Sequence, residues 1–342
     1  MERPVFPSRA EYAGRFTDAV YWRPYVEAVC ARHGLGPCGE IRAGLPGTNA
    51  VFLVDHRYAV KLYTDLFGGA TSFPVERDLY GWFAVHPGLP VPALVAQGDL
   101  FPPGEGWPWP YIVTTVVPGA SYGEAAAGVA YADKPALATF LGGVVRTLHS
   151  TPWPGTPALP ARWEPFLDFL AARRRACVAD HRAWGTLPAR LIAEIDAYLP
   201  PLADLVDTSG PLCLLHADLN ADHVLGGFRD GHWRPNGIID FGDARVGDPA
   251  YELPALHLGL FHADKHLLRA WLTAYGQVAA WDDRRLRCAM SLTLLHQFDV
   301  LVDVFRDMPA AQRVSSLGEL ATLLWDLDAP GMAADAGPRR AP

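Results

Sequence analysis

The sequence predicts an α+β fold of two lobes, a small strand-rich one followed by a larger, mainly helical one. Three observations predict it. Runs with the two-residue alternation of half-buried strands concentrate in the first third of the 342-residue chain. Past Val116-Val-Pro-Gly119 the apolar spacing becomes helical. Between Pro211 and Leu253 two short apolar runs interrupt the helices, and an aspartate lies just past each, Asp218 after Leu212–Leu215 and Asp240 after Gly237-Ile-Ile. The expected divisions are residues 1–117, residues 118–327, and a disordered tail at 328–342 rich in Ala, Pro and Gly.

Each element follows from local pattern. A helix is expected around Trp22–Arg32. Val51–Val54 and Tyr58–Tyr63 form a hairpin through Asp55-His56-Arg57. Before it lies the loop Gly44-Leu-Pro-Gly47-Thr-Asn49, which matches neither nucleotide-loop glycine signature. Residues 75–85 place Glu76, Leu79, Tyr80 and Phe83 at helical spacing, and Pro87, Pro90 and Pro92 end that helix. Leu94–Gln97 and Tyr111–Val117 are further strands. In the second lobe Asp133 is expected to cap a helix whose apolar face is Leu137, Phe140, Leu141, Val144, Val145 and Leu148. More helices are expected near 163–180, 187–205, 249–261, 265–279, 283–306 and 315–327, with Asp248 capping the one that starts at Pro249.

Composition narrows the function classes. Half the residues are hydrophobic and 19% are charged, as in an ordinary globular protein. The net charge of −8 argues against a nucleic-acid partner and fits a cationic ligand. Five scattered cysteines with no C-x-x-C argue against a disulfide framework or a zinc site and for a reducing, cytoplasmic setting. The N-terminal MERPVFPSRAEY lacks the apolar core of a signal peptide, and no run reaches the ~18 apolar residues of a membrane span. A monomer with a small-molecule site in the cleft between its lobes is the expectation.

Several side chains point to phosphate chemistry. Lys61 stands mid-strand between Val60 and Leu62, where a buried ammonium needs anionic partners; a phosphate oxygen and Glu76 would serve. Asp218, just after an apolar strand, suits a carboxylate that orients a hydroxyl and accepts its proton. His216 is expected to hold that loop by hydrogen bonding. Asp240 suits a hard cation such as Mg2+, and Asp243 a second ligand or a substrate contact. His223 is a softer donor; it binds the cation, contacts phosphate, or orients Asp218. Asp299 and Asp303, four apart, are expected on one helical face, either solvated or forming a wall for amines. Trp107, Trp109, Trp153, Trp163, Trp184, Trp281 and Trp325 are core residues or platforms for a sugar.

Lys61, Glu76, the H-x-D of His216–Asp218 and the I-D-F-G-D ending at Asp243 occur in an order that resembles the aminoglycoside phosphotransferase family, which has a protein-kinase-like fold. WPWPY at 107–111, DHRAWG at 180–185, LPARLIAEIDAYLP at 187–200 and LLHQFDV at 294–300 resemble its hygromycin B 7″-O-phosphotransferase branch. The resemblance implies ATP or GTP as donor, Mg2+ as cofactor and a cationic aminocyclitol as acceptor. Lys61 would then bind the nucleotide phosphates and pair with Glu76, while Asn49, Thr115 and Val117 would be further nucleotide contacts. Asp218 would be the catalytic base. Asp240 would hold the metal with His223, which stands where the family usually has asparagine. Asp243, Asp299 and Asp303 would face the amines. Kinases of choline, homoserine, fructosamine and macrolides share these motifs, so a metabolic acceptor is the alternative. A metal-dependent hydrolase built on His216, Asp218, His223 and Asp240, and a binding-only pseudokinase, are further rivals.

Overall fold

The computed structural model describes residues 1–276 and 282–328. The expected tail past Asp328, the end of the 265–279 helix and Trp281 lie outside them. The first half-sheet is antiparallel, in the order β1-β2-β3-β5-β4, formed by β1 (Ile41–Ala43), β2 (Ala50–Val54), β3 (Tyr58–Leu62), β4 (Leu94–Asp99) and β5 (Pro110–Thr115). Asp55 and His56, in the three-residue link Asp55–Arg57, take left-handed φ of 51° and 54° that turn the chain tightly back on itself. That turn sets the β2–β3 register, Val51 opposite Lys61, and β5 then places Ile112 on Lys61's other side. Strand alternation does the rest. Ala50, Phe52, Val60, Leu62, Tyr111 and Val113 bury one face against Trp22, Val26 and Val29 of the helix Ala19–Arg32. The opposite face turns Val51, Lys61, Ile112 and Thr114 to the cleft.

The helix crossing under the sheet runs Gly69–Phe83, six residues longer at its start than the pattern predicts, with Pro74 inside it. Gly68, at φ 78°, ends the preceding turn. Gly69 then packs so closely on Thr64 that a Cβ would stand 2.4 Å from the Thr64 carbonyl oxygen. A proline removes one helical hydrogen bond but does not forbid this early start.

The second half is helical, with small strands inserted. β6 (Ala120–Ser121) joins a hairpin of β8 (Val224–Arg229) and β9 (His232–Ile238), while β7 (Cys213–Leu215) pairs β10 (Arg245–Gly247). The β8 strand is absent from the sequence reading, although Asp230-Gly231, both at positive φ, is a strong turn signal. Asp133 does not cap the helix Lys134–Ser150 with its side chain; its carboxylate accepts from the His232 ring (2.8 Å) and the Trp233 N–H (3.0 Å), tying the helix start to β9. Asp248 does cap, accepting from the Ala250 N–H at 2.8 Å. The 187–205 region is three short helices rather than one, broken around Ala193–Glu194 and at Pro200–Pro201. The 249–261 region is a 3-10 turn, Pro249–Glu252, followed by a π-helix, Ala255–Leu260.

The 283–306 helix is also broken, into Asp283–Leu295 and Val302–Asp307. His296 is extended (φ −60°, ψ 146°), so Asp299 lies in the connecting loop and Asp303 on the next helix. They do not share a helical face.

Two apolar clusters result. One lies outside the sheet; the larger fills the helical part and reaches up to Tyr63, Tyr80, Phe83 and Ile112 under the sheet. Trp109 and Trp325 are buried, and Trp107, Trp153 and Trp163 pack half-buried against these cores. Among the described residues no helix is long and apolar enough to cross a membrane.

The helices Lys134–Ser150 and Lys265–Tyr275 meet at Gly142, where a Cβ would stand 2.5 Å from the Trp271 carbonyl oxygen and 2.7 Å from Ala274 Cβ. Neither neighbour is a flexible side-chain tip. Gly142→Val is therefore expected to lower the unfolding free energy by about 1–3 kcal/mol, read as an earlier urea midpoint.

Candidate functional site

The sheet delivers Lys61 and the crossing helix delivers Glu76; two loops of the helical part deliver the aspartates. Lys61 Nζ lies 2.7 Å from Glu76 Oε2 and 2.9 Å from Asp240 Oδ1. Burial works against the ammonium, but the Asp240 and Glu76 carboxylates outweigh it and hold the Lys61 pKa above its ordinary value. Glu76 is fully buried; it also accepts from the Tyr63 hydroxyl and from the Phe241 N–H at 3.1 Å. Burial raises its pKa, with Lys61 pulling the other way. The Asp240 side chain is 40% exposed toward the cleft; desolvation by its neighbours opposes its charge, yet Lys61 and His223 hold its carboxyl far below the usual range, so it is ionised.

The loop after β7 carries Asp218. Its carboxylate accepts from Asn220 Nδ2 at 3.1 Å. Burial pushes its pKa up to about 7, only partly offset by His223, with Asp243 and Asp240 adding to the rise. His223 stands between the two aspartates. Nδ1 is 2.6 Å from the Asp218 carbonyl oxygen and 3.7 Å from Asp218 Oδ2, and Nε2 is 3.8 Å from Asp240 Oδ2. Burial disfavours its charge, but Asp240 and Asp218 raise its pKa overall.

His216 holds the loop, as expected. Its Nε2–H donates to the Ile239 carbonyl at 2.9 Å, linking the Asp218 loop to the residue before Asp240. Burial, with His223 nearby, lowers its pKa and keeps it neutral. Beneath it lies a group the sequence reading missed. The buried Glu252 carboxylate accepts from the backbone N–H of His216 and, at 3.2 Å, of Ala217. His149 stands 3.6 Å from Glu252 and bonds the Tyr275 hydroxyl at 2.8 Å. Burial opposes ionisation of Glu252, yet His149 and these donors hold its pKa below the ordinary value. The available signal was a lone carboxylate inside the apolar run Tyr251-Glu252-Leu253. Asn220, two residues past Asp218, was missed as well. Ala217 and Asp240 both take left-handed backbone, at φ 65° and 64°. For non-glycine residues that costs on the order of 1–3 kcal/mol each, a strain typical of residues held for function.

Two cavities meet at these side chains. One, about 650 Å³, lies under the sheet and is lined by Gly44–Asn49, Ala59, Ile112 and Thr114–Val117. The other, about 850 Å³, opens on the far side and is lined by Thr71, Pro157–Pro160, Phe166, Asp243, Arg245 and Phe298. Asn49, Lys61, Asp218, His223 and Asp240 line both. Asn49 also accepts from the Thr64 N–H at 3.2 Å. The Thr115 hydroxyl is engaged, accepting from the Ala93 N–H at 2.9 Å, while Val117 is a buried wall residue. Asp243 accepts from Gln297 Nε2 at 3.0 Å, and Gln297 Oε1 accepts from Arg245 at 2.6 Å. Asp299 and Asp303 line neither cavity: Asp299 is bonded to the Thr186 hydroxyl and to the Leu301 N–H, and Asp303 pairs with Arg306 at 2.6 Å. None of the tryptophans among the described residues lines either cavity.

Asp240 and His223 are the donors suited to a divalent ion. Among the described residues no group of three or more His, Cys, Asp or Glu is arranged to hold one. Two protein donors completed by phosphate oxygens and water is the usual setting for a nucleotide-borne cation, so the residues fit.

A small sheet over a mainly helical part, with a lysine–glutamate pair above two loop aspartates, defines a protein-kinase-like phosphotransferase fold. The chain belongs to the phosphotransferase enzyme family described as APH, whose model matches residues 42–287. The lysine-specific demethylase JMJ21 of Arabidopsis thaliana is 26% identical over 271 residues, covering 64% of this chain and 29% of that protein. The chain thus spans under a third of that relative's length. Among solved structures, the GDP complex of wild-type aminoglycoside 2'-phosphotransferase-IIIa superposes with a TM-score of 0.61 at 18% identity, covering 89% of this chain and 97% of that one. The streptomycin–ATP–APH(2")-IIa ternary complex gives 0.56 at 19% identity over 89% and 97%. APH(3'')-Id from Streptomyces rimosus gives 0.54 at 18% over 80% and 98%. At these identities the likeness is one of fold.

The raised Asp218 pKa has a stability consequence. The group's native pKa lies above its unfolded value, so its contribution is fully present below about pH 4 and is lost as pH rises through about 7. Asp218→Asn is expected to match the wild-type melting temperature near pH 4 and to exceed it at pH 8. Thermal melts across that range check this.

Proposed function

We propose that this protein transfers the γ-phosphoryl group of ATP or GTP to a hydroxyl of a small molecule, with an aminocyclitol antibiotic, hygromycin B first, as acceptor. The single observation that supports it most is the meeting of two cavities at Lys61, Asp218 and Asp240. Two substrates can then approach one set of charges from opposite sides. The chamber under the sheet suits the nucleotide, with Lys61 against its phosphates and the chain near Thr115–Val117 along the base. The other chamber suits the acceptor.

Asp218 orients the acceptor hydroxyl and takes its proton as the new O–P bond forms; nucleoside diphosphate leaves. Glu76 positions Lys61, and Asn220 and His216 position Asp218. Asp240 and His223 would hold Mg2+, which when bound neutralises charge on the triphosphate. Positioning and charge neutralisation supply most of the acceleration, with no covalent intermediate on the protein.

With Asp299 and Asp303 turned elsewhere, recognition of an acceptor amine falls to Asp243. Solved proteins of this fold bind GDP, ATP, streptomycin and gentamicin, which supports nucleotide and aminocyclitol as the pair. One observation favours a metabolic alcohol instead. Pro157–Pro160, Phe166 and Phe298 make much of the acceptor wall apolar, and Arg245 adds a cation. Five free cysteines and a net charge of −8 support a cytoplasmic setting, with the lobes joined near Val117.

Expression in a sensitive bacterium, scored on hygromycin B and other aminoglycosides, tests the acceptor. Protection by wild type that Asp218→Ala abolishes is the expected result. In vitro, Asp218→Ala is expected to lose turnover by at least about 100-fold while nucleotide affinity stays within a few-fold. Phosphorylation of choline- or homoserine-type alcohols without protection would move the acceptor to metabolism. Equal turnover by wild type and Asp218→Ala would sink the role of Asp218.

A further inference from the structure

Two opposite charges, Asp243 and Arg245, stand two positions apart on the wall of the acceptor chamber and do not pair with each other. Between them lies Gln297. Its Nε2 donates to Asp243 Oδ1 at 3.0 Å, and its Oε1 accepts from Arg245 Nη2 at 2.6 Å. A guanidinium only donates and a carboxylate accepts, so the amide has one way to lie. The Arg245 guanidinium also lies over the Phe169 ring, 3.6 Å from its centroid. Its Nε is buried without a hydrogen-bond partner, and among the described residues no carboxylate forms a salt bridge with it. Asp243 Oδ2 likewise takes no hydrogen bond from any described residue. Gln297 is held in turn: its backbone N–H donates to the Tyr251 hydroxyl at 3.3 Å, and Arg173 donates to the preceding carbonyl, of His296, at 3.0 Å.

An amide is neutral, so this bridge orients both groups and cancels neither charge. A carboxylate at this position would pair with Arg245 and repel Asp243. Burial and the nearby Asp240 carboxylate raise the Asp243 pKa against the pull of Arg245, and burial lowers that of Arg245. Each charge therefore gains from a ligand group of opposite sign. We infer that Gln297 is a specificity-determining residue that splits the acceptor wall into an anionic half at Asp243 and a cationic half at Arg245. The site takes an acceptor whose ammonium lies beside an electron-rich oxygen, of a hydroxyl or a carboxylate. It turns away one that sets a second ammonium against Arg245. This rests on the phosphotransfer reading and narrows its acceptor.

Steady-state kinetics of the full chain with ATP test this. Hygromycin B and homoserine are the probes with an ammonium beside oxygen, on an aminocyclitol and on an amino acid. Kanamycin carries ammonium groups on each of its rings, and the only oxygen of choline is the reacting one. Wild type is expected to favour hygromycin B or homoserine over kanamycin and choline by at least about tenfold in kcat/KM. Which of the two is turned over tells aminocyclitol from amino acid. Gln297→Glu is expected to shrink the preference over kanamycin by about tenfold or more, through KM rather than kcat. Arg245→Met, whose thioether packs on the Phe169 ring, is expected to do the same and serves should the first variant fail to fold. Kanamycin or choline favoured by wild type, or a preference unmoved in the folded variants, would overturn this inference and leave phosphotransfer standing. Turnover of none of these probes would overturn it together with the acceptor reading on which it rests.

Discussion

One ammonium group joins the two halves of this protein. Lys61 reaches from the sheet to Glu76 on the crossing helix and to Asp240 on the loop after β9. An isolated ammonium or carboxylate taken out of water loses several kcal/mol of solvation. Glu76, fully buried, and Lys61, largely so, each depend on the other's charge, and the position of the helix, the sheet and the Asp240 loop is coupled through Lys61. Tyr63 and the Phe241 N–H complete the coordination of Glu76, so its carboxylate has little freedom to turn away. The arrangement leaves one edge of Asp240 open toward the cleft.

A second layer holds the aspartates rigid from below. Glu252 collects the backbone N–H groups of His216 and Ala217, and His216 ties this loop to Ile239. The left-handed conformations of Ala217 and Asp240 persist because these bonds over-determine them. Positioning catalysis in general needs this kind of stiffness, since small misplacements of reacting groups forfeit much of the gain. The support is itself buried and polar, and Glu252 and His216 are paired within it, which is the condition under which such a network rigidifies rather than weakens a core.

The two chambers differ in chemistry as well as position. The one under the sheet is walled by strand residues such as Ala59, Ile112 and Thr114 and by the loop Gly44–Asn49. The other is walled by the proline-rich loop 157–160, by Phe298 and by the Asp243–Gln297–Arg245 chain, segments from distant parts of the sequence. One chamber is thus built from loops and the other largely from the sheet, in keeping with the general division between scaffold and site.

Lys61, Glu76, Asp218 and Asp240 were legible as chemistry because each is a charged or polar residue in, or just past, an apolar run, where burial demands a partner. The hairpin, the strand-to-helix switch after Gly119 and the caps were equally local, set by two-residue and 3.6-residue periods. Other features were decided only in three dimensions. Asp299 and Asp303 read as one face until His296 broke the helix, and Asp133 read as a cap until β9 supplied better donors. Glu252 and Asn220 acquire meaning only when the loop they hold is folded over them. Sequence by itself determines what a residue offers and the period of its neighbours, because both are properties of short stretches of chain. Which offers are taken up depends on partners up to 179 residues away, as for Lys61 and Asp240, and that is settled only by the packing that brings them together.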